Sequence, residues 1–261
     1  MHLVETADAA EPGLDDFRDL TDSDVRPDRR GIVIAEGVNV VERLARSPFR
    51  VRAVVGVRAR IDALRPTLEQ LDVPVHVVDK WLLSDVVGFR VTRGVLASAD
   101  RGQPRDAADL LARAARVAVL EGLNDFENLG ALFRNAAAFG VQAVLLDPRC
   151  ADPLYRRSVR VSMGHVLQVP FAVLPGSWPE SLETVRAAGC TLLALSPRGE
   201  VALQNLEPPQ RWAVLVGAEG PGLTDAALAR ADVRVRIPMA SGVDSLNVST
   251  AAAVAFAHLG A

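Results

Sequence analysis

Two cysteines in 261 residues, Cys150 and Cys190, are too few for a disulfide framework or a zinc site and suit a reducing cytoplasm. Aromatic residues are scarce, at 5%, so Ala, Val, Leu and Arg must build the core. The longest uncharged apolar stretch, residues 245–257, falls short of the roughly 20 residues that a membrane-spanning helix needs. The N-terminus carries acids where a signal peptide has a basic start and an apolar core. A soluble cytoplasmic protein is expected, with no membrane partner and no metal. The sequence also has no internal repeat, no GxGxxG and no GxxxxGK[ST], which argues against a dinucleotide-dependent oxidoreductase or a P-loop enzyme. Excess positive charge is lacking too, since the formal net charge is -3. That total hides an asymmetry. Residues 1–25 hold eight acidic groups against Arg18 alone, and the remaining chain sums to +4. RNA binding is permitted by this balance and not shown by it.

What is present is ordinary globular composition: 49% hydrophobic and 23% charged residues suffice for two small domains or one large one. Residues 1–25 read as an acidic, flexible arm with one short helix near residues 15–20. From residue 26 to 100, short β-rich runs alternate with helical spacing: strands at 32–35, 51–57, 75–78 and 95–99, helices at 37–47, 61–71 and 80–87. Residues 101–115 read as a linker and a lead-in helix. A second alternation fills residues 116–261. Its strands lie at 117–120, 141–146, 166–170, 191–195, 212–216 and 233–237. Its helices lie at 128–139, 153–163, after Ser177, at 224–230 and from about 247 to 259. Alternation of this kind implies an α/β fold with a mostly parallel sheet covered on both faces.

Three stretches stand out chemically. The first, residues 120–140, places Leu129, Leu132, Phe133 and Ala136 in an apolar stripe, with Asn128 where a helix N-cap belongs and Arg134 off the stripe. The second runs from the buried strand 213–216 into Gly217-Ala218-Glu219-Gly220-Pro221-Gly222, a glycine-rich loop. The third, residues 237–250, reads as a strand end closed by Pro238, an irregular loop turning at Gly242, and a helix capped by Ser245 or Asn247.

Occurring in this order over about 140 residues, the three resemble motifs 1, 2 and 3 of the SpoU (TrmH-like) RNA 2'-O-ribose methyltransferases of the SPOUT superfamily. Phe126 stands where that family often has Pro. Upstream, Ala35-Glu36-Gly37 and Arg93-Gly94-Val95-Leu96-Ala97 resemble a ribosomal-protein-L30e-like substrate-binding domain.

The resemblance implies a mostly parallel C-terminal domain with a deep trefoil knot, preceded by the small L30e-like α/β domain. It implies transfer of a methyl group from S-adenosyl-L-methionine to a ribose 2'-hydroxyl, with ribosomal RNA as the substrate and transfer RNA, or RNA binding without catalysis, as alternatives. By the same analogy Leu215, Gly217, Ile237, Met239 and Leu246 line the cofactor pocket. Arg134 is the implied catalytic residue, supported by Asn128, Glu219, Ser245 and Asn247, with Glu219 a candidate to hold Arg134. An arginine is effectively always protonated, so clamping a phosphate suits Arg134 better than acting as a base. Arg29 and Arg30, which precede the first strand of the L30e-like domain, and Arg156, Arg157 and Arg160 are candidate RNA contacts. A homodimer through the C-terminal domain is implied as well.

Overall fold

The apolar runs of the C-terminal half form an all-parallel sheet of seven strands: β6 (Arg116–Glu121), β7 (Ala143–Leu146), β8 (Phe171–Val173), β9 (Thr191–Leu195), β10 (Val201–Ala202), β11 (Trp212–Gly217) and β12 (Val233–Arg236). Their order across the sheet is β10-β12-β9-β11-β6-β7-β8. The computed structural model describes residues 1–18, 20 and 31–260. It divides into two units, Met1–Gln103 with Asp152–Gln168, and Pro104–Ala151 with Val169–Ala261.

In the second unit, alternation along each strand sends side chains to two faces. Val117, Val119, Leu192, Ala194, Ala213 and Leu215 are buried against Leu111 of α4 (Ala107–Arg113), Leu182 and Val185 of α7 (Leu182–Ala187) and Ala227 of α8 (Asp225–Leu228). The opposite face is covered by α5 (Phe126–Ala138) and α9 (Val248–Gly260), which pack on each other. Phe133 of α5 meets Phe171 of β8 edge to face at 5.7 Å. Phe256 of α9 stacks on Trp212 of β11 at 6.2 Å. Both rings of the latter pair are almost completely buried. Full burial of one such side chain contributes about 1.5–3 kcal/mol.

The first unit holds five strands in the order β1-β4-β3-β5-β2. These are β1 (His2–Glu5), β2 (Ile32–Glu36), β3 (Val51–Gly56), β4 (Pro74–Val77) and β5 (Val95–Asp100). β1, β4 and β3 run parallel, and β5 is antiparallel to both β3 and β2. Helices α1 (Val38–Ala45), α2 (Arg58–Leu68) and α3 (Lys80–Val87) connect them.

Two expectations are corrected here. The acidic arm is not loose over its described residues. β1 pairs with β4, and Leu14, Phe17 and Leu20 are fully buried in the core beside Ile32, Val55 and Leu96. Two of its acids are paired with arginines: Asp15 with Arg18 at 2.9 Å, and Asp16 with Arg52 at 2.8 Å. The segment 21–25 lies outside the described residues. The second correction concerns α6 (Arg156–Val161), which the sequence pattern places in the 116–261 domain. It belongs to the first unit, packed on β2, because the buried carboxylate of Glu36 receives Arg156 at 3.1 Å.

Candidate functional site

Side by side in the second unit, the carboxyl ends of β9, β11 and β12 open onto three loops, at 196–199, 217–224 and 237–247. The crevice outside such strand ends is where open α/β sheets bind ligands. Here the loops enclose a cavity of about 940 Å³. Two glycines make the close packing possible. A Cβ on Gly217 would lie 2.2 Å from the carbonyl carbon of Gly222, and one on Gly199 would lie 2.4 Å from that of Val235. Neither distance is physically attainable, so each loop tucks in only because those positions lack a side chain.

Four of the five residues expected in the pocket wall are there: Gly217, Ile237, Met239 and Leu246. Leu215 is not. Strand alternation turns it into the core under α4, α7 and α8, and its neighbour Val216 lines the cavity instead. Glu219, Ser245 and Asn247 line it too. Leu246 and Val243 leave 38% and 48% of their surface exposed, which marks an apolar wall. The loop Leu195-Ser196-Pro197-Arg198 also contributes lining and was not anticipated. Its signal was a turn sequence directly after a buried strand.

Behind the wall, hydrogen bonds join all three motif stretches. Asn128 Nδ2 donates to Glu219 Oε2 at 2.7 Å, and Asn247 Nδ2 donates to Asn128 Oδ1 at 2.7 Å. Asn247 caps α9, its Oδ1 accepting from Ser249 N–H at 3.0 Å and Ser249 Oγ at 2.6 Å. Asn135 Nδ2 then donates to the Ser249 carbonyl at 2.8 Å. Asn128 itself is not the cap of α5. The helix begins two residues earlier than expected, and Asp125 caps it by accepting from Asn128 N–H at 2.7 Å. Asn128 is thereby turned inward, 8% exposed, with both ends of its amide engaged.

Arg134 projects from α5, exposed, with no hydrogen bond or ion pair to a described residue. Glu219 does not hold it, being engaged by Asn128. Arg156 is taken out of the exposed set: beside its contact with Glu36, its guanidinium lies 4.4 Å from the Phe89 ring centroid. Arg160 sits farther from the same carboxylate, at 3.9 Å, and is more exposed than Arg156. Arg29 and Arg30 lie outside the described residues. No cluster of metal-ligating side chains occurs among the described residues, and no helix there is long and apolar enough to cross a membrane. Burial first, then the nearby Asp147 charge, push the Cys150 thiol up to about 12.

The profile of the SpoU rRNA Methylase family matches residues 115–257, the region that contains every one of these loops. An uncharacterised tRNA/rRNA methyltransferase of Mycobacterium tuberculosis is 49% identical, the match covering 98% of this chain and 91% of the relative. A 23S rRNA (adenosine(1067)-2'-O)-methyltransferase of Streptomyces azureus is 30% identical over 70% of this chain and 68% of its own length. Among solved structures, an AdoMet-bound rRNA methyltransferase from Sinorhizobium meliloti shares the fold with a TM-score of 0.82, covering 98% of this chain and 97% of its own, at 24% identity. The chain belongs to the SpoU rRNA methylase family.

Proposed function

We propose that this chain is an S-adenosyl-L-methionine-dependent RNA 2'-O-ribose methyltransferase acting on ribosomal RNA. The observation that carries this reading is the Glu219–Asn128–Asn247 chain of hydrogen bonds, which gathers three distant motif stretches behind one cavity wall. The 2'-O-methyl transfer of the Streptomyces relative supports the ribose assignment, and the AdoMet bound in the Sinorhizobium structure supports the cofactor.

The residues present fit the cofactor. A cavity of about 940 Å³ is of the size that takes a small ligand. Ile237, Met239, Val243 and Leu246 offer apolar surface to an adenine ring, and the glycine-rich loops bring peptide groups close. When bound, the sulfonium supplies a methyl group whose departure leaves a neutral thioether, so no acid is required. The demand falls on the nucleophile, because a ribose hydroxyl is weak at neutral pH. Arg134, permanently charged and free of a described partner, holds the neighbouring phosphate and lowers the cost of the developing oxyanion. The hydroxyl proton leaves through that phosphate or water. Asn128, Glu219 and Asn247 are occupied with one another, which suits support and not direct contact with the reacting atoms. Ser245 lines the cavity wall, which supports a role for it in contact with substrate. Arg29, Arg30, Arg157 and Arg160 remain candidates for phosphate contact. The trefoil knot, the L30e-like nature of the first unit, the homodimer and a cytoplasmic location belong to the same proposal.

Labelled S-adenosylmethionine supplied with ribosomal and transfer RNA tests it. Label is expected in ribosomal RNA, at a single position that resists alkaline cleavage. Label on a base overturns the ribose assignment, and label in transfer RNA alone overturns the substrate. Absence of cofactor binding favours a protein that only binds RNA.

A further inference from the structure

Glu121 ends β6 with its carboxylate only 2% exposed. A buried carboxylate is tolerated where donors surround it. Trp178 Nε1 donates at 2.6 Å, Thr224 Oγ1 at 2.8 Å, the Thr224 backbone N–H at 2.9 Å and Arg149 Nη2 at 3.2 Å. Two of these four donors come from Thr224, which closes the 217–224 loop and caps α8. The loop's other end meets the same residue, since Gly217 is the register partner of Glu121 in the β11–β6 ladder. Between those ends run residues that wall the cavity, including Glu219, which reaches Asn128.

We infer that Glu121 is a positioning residue, holding both ends of the 217–224 loop in the shape that receives S-adenosylmethionine. The inference rests on the cofactor reading proposed above. Glu121 touches neither cofactor nor RNA; it acts through Thr224 and Gly217. Trp178 offers an internal comparison, for it donates to the same carboxylate from outside the loop.

Three variants separate loop positioning from general stability. Thr224→Val removes the hydroxyl, Thr224→Ser restores it, and Trp178→Phe removes the indole donor along with part of that ring's packing on the core. Calorimetry with S-adenosylmethionine is expected to show binding about tenfold weaker in Thr224→Val, which loses the hydrogen bond to the Glu121 carboxylate together with the hydroxyl cap on Ala227 N–H. Thr224→Ser should bind as the wild type does. Trp178→Phe should melt at a lower temperature with unchanged affinity. Hydrogen exchange without ligand should be faster at residues 218–223 in Thr224→Val alone. Wild-type affinity in Thr224→Val overturns the inference, as does equal weakening in Trp178→Phe. If the wild-type protein binds no S-adenosylmethionine, the cofactor reading fails, and the exchange of the 218–223 amides alone decides whether Glu121 holds the loop.

Discussion

The side-chain amide of Asn128 donates to Glu219 at 2.7 Å across 91 positions of sequence. Its geometry fixes which partner gives and which accepts. Asn128→Asp removes the donor and sets two carboxylates together, so both stability and methyl transfer should fall. A buried group left unpaired costs about 1–3 kcal/mol. Adding Glu219→Gln supplies a new donor to the introduced carboxylate. The double variant should therefore recover part of the loss in a double-mutant cycle read by urea denaturation. Simple additivity would show that the pair does not interact.

Arg134 gives the opposite pattern. It is exposed and makes no ion pair with a described residue, so Arg134→Ala should leave the melting temperature within a degree or so. Methyl transfer should drop by about a hundredfold or more, the scale of losing one donor to a developing oxyanion. Cofactor affinity should hardly change. Full activity in this variant would remove Arg134 from the mechanism.

Stability of the second unit should be concentrated where α9 meets β11. Phe256 and Trp212 stack at 6.2 Å with both side chains almost wholly buried. Phe256→Ala is expected to cost about 3–5 kcal/mol in unfolding free energy, including the cavity left behind. Val254 on the same helix is 39% exposed, and Val254→Ala should cost under about 1 kcal/mol by the same urea titration.

The first unit should loosen in mild acid. His76 of β4 is buried, which lowers its pKa despite the opposing charge of Glu11. Its Nδ1 meets Thr6 Oγ1 at 3.1 Å, and Gly13 packs so close that a Cβ there would lie 2.3 Å from the ring. With the folded pKa below the ordinary imidazole value of 6.5, the unfolded chain takes up the proton first as pH falls. His76 therefore imposes no penalty above about pH 6.5, and stability declines from there toward the folded pKa. Protection factors of the residue 2–6 amides, taken relative to the intrinsic exchange rate at each pH, should fall between pH 7.5 and 5, and His76→Gln should flatten that response. An unchanged pH profile in the variant would exonerate the histidine.

Most strands of both sheets were readable because buried parallel strands are short, nearly continuous apolar runs, as in Ala213-Val214-Leu215-Val216. β1 was not, because His2-Leu3-Val4-Glu5 holds only two apolar residues at the head of an acid-rich segment, and β8 lies at Phe171–Val173, beyond the strand expected at 166–170, where a 3-10 turn spans His165–Leu167. Leu14, Phe17 and Leu20 recur every three residues, yet the surrounding aspartates suggested a solvated arm. Arg156 looked like a phosphate contact because its partner, Glu36, lies 120 positions away and is visible only after folding. Leu215 failed on parity: motif position names the strand end, whereas the side-chain direction alternates. Glu121 and Arg198 escaped notice because nothing local distinguishes a carboxylate at a strand end or an arginine in a turn from surface charge.

The tucked glycines also say where the cavity is open to redesign. At Gly217 and Gly199 a single added carbon would collide with backbone, and backbone cannot rotate away. Those two positions are closed to any attempt at reshaping the pocket for bulkier sulfonium analogues. Val243 and Leu246 stand on the same wall with side-chain surface to spare. Trimming them to alanine would widen the chamber without disturbing the loop's course, so a library aimed at new alkyl donors should begin there.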